Sequence, residues 1–508
     1  MFSRILLVCI LLVYGSAGIY DVLHTYHISR EAIIYDGISR EILATTTEGR
    51  QALVASVYMP PLNTLLRVPF TVFFTNSDFP VSSIIVSLIF GIASILLLDT
   101  VLGVLNMGWQ RLLFVGAFML HPGFYSRCIN GSSETTSIFF MILILYGCYG
   151  WISTRDVKFL VYYATGTGLM ALVCFEVLPI LFFAVLVIIF NEVFLHGGTK
   201  SEKGAVMLLA LLPLFYTIGF WLLLNWLIMG DGLYFLRGLF FSLKKEPPVI
   251  PYPLELSPYH IGAILLSLVV MFASALTGNR GGIFTGALAI SPLPLAIAGA
   301  SSGLVRQPSV LISYAPFMAI ISAGLVCTGH PKQTVPASGR TDFYNCLQFA
   351  AGAILFITTS FISLHPEMIK DYTSQKLLSF DDVIAFRNKE VPALVKHVKS
   401  VSRYVKVFVC GYDSFILLGG KKDKIFVRSI DFNLNKACQD YYGHVLFVLL
   451  KQPDLYSVAD SHTWKYPDAF DIGFYGTLYD SDWGEWRLFE VVRSSYRTVQ
   501  QIQVDSKQ

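Results

Sequence analysis

Long apolar runs alternate with short polar connections over the first 364 residues of the chain. A run of about 17 to 25 apolar residues lets a helix cross a hydrocarbon core roughly 30 Å thick. The pattern predicts about eleven membrane-spanning helices, near residues 5–20, 80–104, 109–123, 136–152, 158–175, 177–196, 205–229, 259–278, 283–299, 309–328 and 346–364. A shorter apolar segment, residues 62–74, contains Pro69 and is predicted to lie as a helix at the membrane interface.

The composition supports an integral membrane protein. Of the 508 residues, 54% are hydrophobic and only 14% are charged, against about 25% charged residues in soluble proteins. The net charge is +3 and the cations are scattered, so the sequence predicts no nucleic-acid partner. The eight cysteines are far apart, which indicates neither a zinc site nor a disulfide framework. A bridge between Cys410 and Cys438 is left open.

Cations in the loops predict the orientation of the spans, because short cytoplasmic loops collect Lys and Arg. With Arg4 inside, every loop predicted to be cytoplasmic carries a cation. These cations are Arg111, Arg155, Lys158, Lys200, Lys203, Arg280, Lys332 and Arg340. Residues 21–79, 124–135 and 230–258, and the chain after about His365, are then predicted to lie outside. A cleaved signal peptide is the alternative interpretation of the first span.

After residue 364 the long apolar runs give way to short β-rich segments. VKVFVC, KIFVRSI and HVLFVLLK, at residues 405–410, 424–430 and 444–451, are predicted strands, and residues 381–401 have helical spacing. The tail predicts a terminal hairpin closed at residues 480–484. Residues 365–508 are therefore predicted to form a small extracytoplasmic α/β domain, following a transmembrane domain of residues 1–364.

The first outer loop carries four acidic residues at the membrane boundary: Glu31, Asp36, Glu41 and Glu48. A carboxylate that takes the proton of a sugar hydroxyl as a bond forms contributes about 10²- to 10⁴-fold to a rate. Partial desolvation raises its pKa and makes it a stronger base. If residues 31–50 are helical, Asp36 and Arg40 lie one turn apart and can pair. The alternative is that all four acids solvate an amphipathic interfacial helix.

Other charged residues lie at the outer ends of predicted spans. Glu134 follows Ser132 and Ser133, so it is either a site residue or a favourable charge at a helix start that these serines cap. Glu176 is costly at the end of a span unless it is paired, hydrated or functional. Glu176 and Arg127 are expected to line a cavity.

Five stretches of the chain occur in an order that resembles the glycosyltransferase C superfamily, specifically the bacterial polyprenyl-phosphate-sugar transferases related to protein O-mannosyltransferases and the aminoarabinose transferase. They are the acidic first outer loop ending in YMPPLNTLLRVPF, then MLHPGFYSRCINGSSETTSIFFMILILYGCYGW, LMALVCFEVLPILFFAVLVI, NWLIMGDGLYFLRG and LVRQPSVLISYAPFMAIISAG. The resemblance covers roughly residues 5–364. It implies an α-helical polytopic membrane fold in a bacterial inner membrane.

The resemblance also implies a reaction. A sugar moves from a polyprenyl phosphate carrier to a hydroxyl of a glycan, lipid or protein acceptor at the outer face, with inversion at the sugar carbon. A carboxylate of the first outer loop acts on the acceptor, and Asp36 fills the matching position. Many relatives carry an Asp-Glu pair where this chain has Asp36-Gly37, so Glu41 and Glu31 are kept as substitutes. Glu134 is expected to face the cavity as a further catalytic candidate.

The donor's phosphate requires a cation at the membrane face. Arg306 matches the family's late arginine, and a guanidinium binds two phosphate oxygens at once. Arg237, in the outer loop GDGLYFLRG, is a further candidate. Tyr314, on the span that follows Arg306, is expected to line the cavity.

The sequence identifies no cofactor. Carboxylates can hold magnesium or manganese, and His24, His27 and His121 lie toward the outer side, but no complete ligand set is indicated and no metal is predicted. A lipid-linked sugar flippase or transporter is the rival function, although the sequence lacks an inverted repeat with paired broken helices. A non-catalytic envelope assembly protein is the third possibility.

Overall fold

The computed structural model describes residues 15–16, 28–45, 47–54, 60–74, 80–105, 107–174, 177–235, 258–302, 313–327, 349–359, 377–378, 397, 406–409, 426–428, 443–450, 477–483 and 486–493. The helices are α1 (Arg30–Leu43), α2 (Thr47–Val54), α3 (Pro61–Thr71), α4 (Val81–Val104), α5 (Arg111–Leu120), α6 (Pro122–Ile129), α7 (Glu134–Thr154), α8 (Val157–Ala171), α9 (Leu178–Phe190), α10 (Lys200–Met229), α11 (Pro258–Thr277), α12 (Arg280–Ile290), α13 (Pro292–Ser302), α14 (Ala315–Cys327) and α15 (Phe349–Thr359). The strands are β1 (Ile28–Ser29), β2 (Leu377–Leu378), β3 (Lys406–Val409), β4 (Phe426–Arg428), β5 (Gly443–Leu450), β6 (Thr477–Trp483) and β7 (Trp486–Arg493).

The core is built around α7, which packs against α4, α8, α12 and α14. Nearly every side chain of α7 is buried, as expected of a helix that is apolar on all faces. By contrast, α10 packs on α8 and exposes large apolar side chains, including Phe215, Tyr216 and Trp226. An apolar outer face of this kind suits contact with lipid.

Among the described residues, six helices are long and apolar enough to cross a membrane, or seven if the bent pair α5 and α6 is one span. The predicted count of about eleven is therefore not confirmed. The helices α14 and α15 coincide with predicted spans but are shorter, and α8 has 15 residues, about 22 Å of helix. The predicted first span, residues 5–20, lies mainly outside the described residues. The predicted class, an integral membrane protein, is supported by these apolar helices.

The predicted span near residues 109–123 is not one straight helix. The axes of α5 and α6 differ by 62°. The break is at His121, whose backbone is extended (φ −62°, ψ 120°), because a residue before proline is disfavoured in the helical region. Pro122 then begins α6. Proline suits the first position of a helix because a backbone N–H there has no partner within the helix.

The helix α3, continued by a 3₁₀ turn over Val72–Phe74, accounts for the predicted interfacial segment. Its polar side chains are buried inside the protein, and among them are Asn63, Thr64 and Arg67. Its apolar side chains Leu65 and Phe73 are exposed. A helix with an apolar outer face and a polar inner face is suited to the membrane surface.

The three predicted strands after residue 400 correspond to β3, β4 and β5, and the predicted terminal hairpin is present as β6 and β7. Its turn was predicted too early, at residues 480–484, because residues 480–483 belong to β6 and Trp483 pairs with Trp486. The five strands form a mixed sheet in the order β4-β3-β5-β7-β6. Here β3 is parallel to β4 and β5, while β7 is antiparallel to β5 and β6. The predicted helix over residues 381–401, apart from His397, and both Cys410 and Cys438 lie outside the described residues.

A second pairing joins distant parts of the sequence. The short strand β1 precedes α1 and pairs antiparallel with β2, so that Ile28 lies opposite Leu378 and Ser29 opposite Leu377. The chain after the last predicted span therefore returns to the start of the first outer loop.

Candidate active site

Asp36 lies on α1 with its side chain buried. One carboxylate oxygen accepts a hydrogen bond from Nε of Arg40 at 2.7 Å, and Nη2 of Arg40 lies 2.6 Å from the same oxygen. The other oxygen accepts a short hydrogen bond from the hydroxyl of Ser82 at the start of α4. The predicted pairing of Asp36 with Arg40 is thus confirmed. The helix ends earlier than residue 50, because Thr45 adopts a left-handed backbone (φ 56°).

Burial raises the pKa of Asp36 above its ordinary value of 3.8. Removing a carboxylate from water disfavours its charged form. Arg40, the Ser82 hydrogen bond and the positive charge of Arg67 act in the opposite direction and lower the pKa. The net direction is upward, which makes Asp36 a stronger base than an exposed aspartate.

Glu31, about one and a half turns before Asp36, connects the predicted first outer loop to residues 124–135, the predicted second outer segment. Its Oε2 accepts a hydrogen bond from the Ser133 hydroxyl at 2.8 Å and from the Ser133 main-chain N–H at 3.4 Å. The two segments also meet through the backbone, where the N–H of Ser29 donates to the carbonyl of Asn130 at 2.8 Å. Both outer segments therefore contribute to one polar region.

Gly131 permits this close approach. Its backbone is left-handed (φ 77°), and a Cβ there would lie 2.7 Å from the Cβ of Ala32 and 3.2 Å from that of Ser83. Glycine alone adopts this conformation without strain and leaves room for α1 and α4.

Glu134 begins α7 and forms a short ion pair with Arg127 on α6. Nη1 of Arg127 also donates to the carbonyl of Gly123 at 2.9 Å. Ser133 makes no capping hydrogen bond at the start of α7, and its hydroxyl donates to Glu31. The hydroxyl of Ser132 accepts from the Glu134 N–H at 3.2 Å instead. Both interpretations of Glu134 stay open, since the ion pair is compatible with either.

Tyr314 lies just before α14, and its ring is 1% exposed. The charges of Glu134 and Arg127 act on its hydroxyl group. Phe317 on α14 contacts the same arginine, whose guanidinium lies 5.5 Å above the centre of its ring. The structure thus brings Arg127, Glu134 and Tyr314 together. Glu31 is connected to this group by its hydrogen bond with Ser133, the residue before Glu134.

Arg67 on α3 completes the polar region. Its side chain is 0% exposed. Nε donates to the Ser83 hydroxyl at 2.9 Å, Nη1 to the Asn63 carbonyl at 2.7 Å and Nη2 to the Gly131 carbonyl at 3.1 Å. Its guanidinium lies 4.6 Å from the centre of the Tyr35 ring.

Several predicted site residues lie outside the described part of the chain. These are Glu176, Arg237 and Arg306, and for Glu41 only the backbone, within α1, is described. The roles assigned to these four residues stay predictions. His24 and His27, for which no role is predicted, also lie outside the described residues. Among the described residues, no group of three His, Cys, Asp or Glu side chains could hold a metal ion, and His121 packs edge-on against the ring of Phe317.

Arg67 and Ser82 are not among the site residues predicted from the sequence. A signal for Arg67 was present, because Asn63, Thr64, Arg67 and Thr71 share one face of a helix whose other face is apolar. In the structure that polar face meets α1 and α4. Nothing local in the sequence distinguishes Ser82 from the neighbouring serines of α4.

The sequence matches no protein-family model and no curated protein. The structure is similar to ArnT from Cupriavidus metallidurans bound to undecaprenyl phosphate, with a TM-score of 0.52, 12% identity, and coverage of 97% of this chain and 98% of that chain. The apo state of the same ArnT gives a TM-score of 0.48 at 12% identity, covering 96% and 97% of the two chains. The Archaeoglobus fulgidus oligosaccharyltransferase in complex with Zn and sulfate gives 0.38 at 12%, covering 86% of this chain and 67% of that chain.

The first of these likenesses shows a common fold. The predicted α-helical polytopic membrane fold is therefore confirmed as a fold shared with this ArnT, whereas the count of about eleven spans and the separate C-terminal domain are not confirmed.

Proposed function

We propose that this chain is a membrane glycosyltransferase that moves a sugar from a polyprenyl phosphate carrier to an acceptor hydroxyl at the outer face of a bacterial inner membrane. The shared fold with ArnT, whose structure holds undecaprenyl phosphate, supports the class of donor. The pairing of β1 with β2 supports a common outer side for the first loop and the C-terminal part.

The observation that carries the proposal is the buried carboxylate of Asp36, held by Arg40 and Ser82 within the first outer loop. A sugar or lipid hydroxyl is a weak nucleophile at neutral pH, and Asp36 would accept its proton as the glycosidic bond forms. The raised pKa of Asp36 strengthens it in this role. Attack on the face opposite the leaving phosphate inverts the sugar carbon.

The leaving group is a lipid phosphate, whose negative charge grows as the bond to the sugar breaks. A cation placed at that oxygen stabilises the transition state more than the bound donor. Arg306 is proposed for this role, with Arg237 as the second candidate. Arg127 is less suited to it because Glu134 already compensates its charge. Glu31, Glu134 and Tyr314 are proposed to line the cavity.

The test uses purified protein with a polyprenyl phosphate sugar and candidate acceptors, and measures the polyprenyl phosphate released. The wild type is expected to release it in an acceptor-dependent way. Asp36→Asn keeps the shape of the side chain and is expected to lower turnover by about 10²-fold or more, because the base is lost.

Asp99→Asn is the matched control. Asp99 is also buried and also paired, with Arg111 Nε at 2.7 Å. It lies 17 residues after Ser82 on α4, about 25 Å along the helix axis. We expect turnover in Asp99→Asn to stay near wild type. Unchanged turnover in Asp36→Asn would remove Asp36 from the chemistry, and transport of the donor without its cleavage would favour the flippase.

A further inference from the structure

Arg67 is a buried cation that forms no ion pair within the described part of the chain. Its side chain is 0% exposed. Four other arginines are each paired with a carboxylate: Arg40, Arg111, Arg127 and Arg155. Burying a guanidinium costs several kcal/mol unless hydrogen bonds and opposite charges offset the loss of water. The surroundings of Arg67 must therefore supply that compensation.

Hydrogen bonds supply part of it and join separate segments of the site. The guanidinium donates to Asn63 on its own helix, to Ser83 on α4 and to Gly131 in the second outer segment. Ser83 in turn donates to the carbonyl of Ala32 on α1 at 2.8 Å. Arg67 is thus the one described side chain that bonds directly to α3, α4 and the turn before α7.

Carboxylates on α1 supply the rest of the compensation. Burial lowers the pKa of Arg67 to about 10, and the charges of Glu31 and Asp36 act against this change. The interaction is mutual, because the charge of Arg67 also favours the ionised form of Asp36. The charged and polar groups that act on Asp36 are then Arg40 on its own helix, Ser82 on α4 and Arg67 on α3.

We propose that Arg67 is a positioning residue for Asp36: it fixes α1 against α4 and the second outer segment, and its positive charge favours the ionised Asp36 carboxylate. The inference rests on the proposed function, since it concerns the base of that reaction. Arg67 itself touches no reacting atom.

The charge of Arg67 can be separated from its bonds with two variants of similar length. Arg67→Gln removes the charge and keeps hydrogen-bonding capacity, whereas Arg67→Lys keeps the charge and loses the planar set of donors. Both are measured as kcat/KM for lipid phosphate release across a pH series. The acid limb of that profile reports the ionisation of the base in the free enzyme.

In Arg67→Gln we expect the acid limb to move up by about half a unit to one unit, because a positive charge near Asp36 is gone. At a pH below the wild-type limb this is a loss of about 3- to 10-fold in kcat/KM. In Arg67→Lys the limb is expected to stay within about 0.3 unit of wild type. Arg67→Met is a second neutral variant if Arg67→Gln does not fold, and Ser83→Ala, which removes a bond but no charge, is expected to leave the limb in place.

A limb that does not move in either neutral variant would overturn the inference, as would an equal shift in the lysine variant. A merely structural role would lower the amount of active protein without moving the limb. Asp36→Asn, measured alongside, separates the two proposals. An active Asp36→Asn variant refutes the proposed base, whereas an inactive one with an immobile limb in the neutral Arg67 variants refutes only the role of Arg67.

Discussion

Removing either partner of the ion pair between Arg127 and Glu134 should destabilise the fold. Removing both partners together should lower the free energy of unfolding by less than the sum of the two single changes. The pair joins α6 to α7, and both side chains are only about one tenth exposed. Arg127→Met keeps the length and apolar stem of the side chain, and Glu134→Gln keeps the shape of the acid. Each single variant leaves one buried charge without its partner.

Removing one partner of a buried ion pair costs about 3–5 kcal/mol, much of it the penalty of the charge left behind. Arg127→Met also loses the bond to the Gly123 carbonyl and the contact with the Phe317 ring. Because the double variant leaves no unpaired charge, we expect a coupling energy of about 2 kcal/mol. Neutral hydrogen bonds between membrane helices average only about 0.6 kcal/mol in double-mutant cycles. A coupling energy of about 2 kcal/mol therefore distinguishes a buried ion pair from a neutral hydrogen bond.

The assay is reversible unfolding in mixed detergent micelles, followed by tryptophan fluorescence, for the wild type, both single variants and the double variant. A coupling energy below about 0.6 kcal/mol would refute the reasoning, because the charges would then be solvated rather than buried. Turnover of the double variant decides the remaining question about Glu134. A stable but inactive double variant would support the catalytic interpretation of Glu134, and a stable, active one would support the structural interpretation.

Two further predictions concern packing and charge away from the site. Gly147→Ala on α7 should destabilise the fold by about 2 kcal/mol or more, because a Cβ there would lie 2.6 Å from the Phe159 carbonyl oxygen and 2.7 Å from the Tyr163 Cα. Gly219→Ala on α10, with nothing within 4 Å, should be neutral or stabilising, and equal thermal stability of the two variants would contradict this packing. Glu192→Ala should cost about 3 kcal/mol, since Glu192 is 1% exposed and accepts from three donors. Lys158→Ala breaks an exposed pair and should leave the thermal midpoint unchanged; a loss as large as that in Glu192→Ala would contradict the difference in burial.

Local features of the site and of the fold could be predicted from the sequence. Residues four apart on a helix are neighbours, so the pairing of Asp36 with Arg40 followed from a helical pattern alone. The terminal hairpin followed from two β-rich runs around a short turn. The sequence also contains a signal for the bend at His121, because the following proline disfavours a helical residue before it. The long apolar run nevertheless predicts one continuous span there.

Contacts between distant segments could not be predicted in this way. The bond between Glu31 and Ser133 spans 102 residues, and the pairing of β1 with β2 joins parts of the chain about 350 residues apart. The apolar periodicity of α3 indicates which face is polar, but not whether that face meets water or protein. The burial of Arg67 is therefore a property of the assembled fold.

The chain is proposed to consume a polyprenyl phosphate sugar with Asp36 as the base. The most direct test compares the lipids of cells that carry the wild-type gene, no gene, or the gene for Asp36→Asn, with Asp99→Asn as the control. We expect a glycosylated polyprenyl phosphate to accumulate without the gene and with Asp36→Asn, and to return to the wild-type level with Asp99→Asn. Identical carrier lipids in all four strains would contradict the claim.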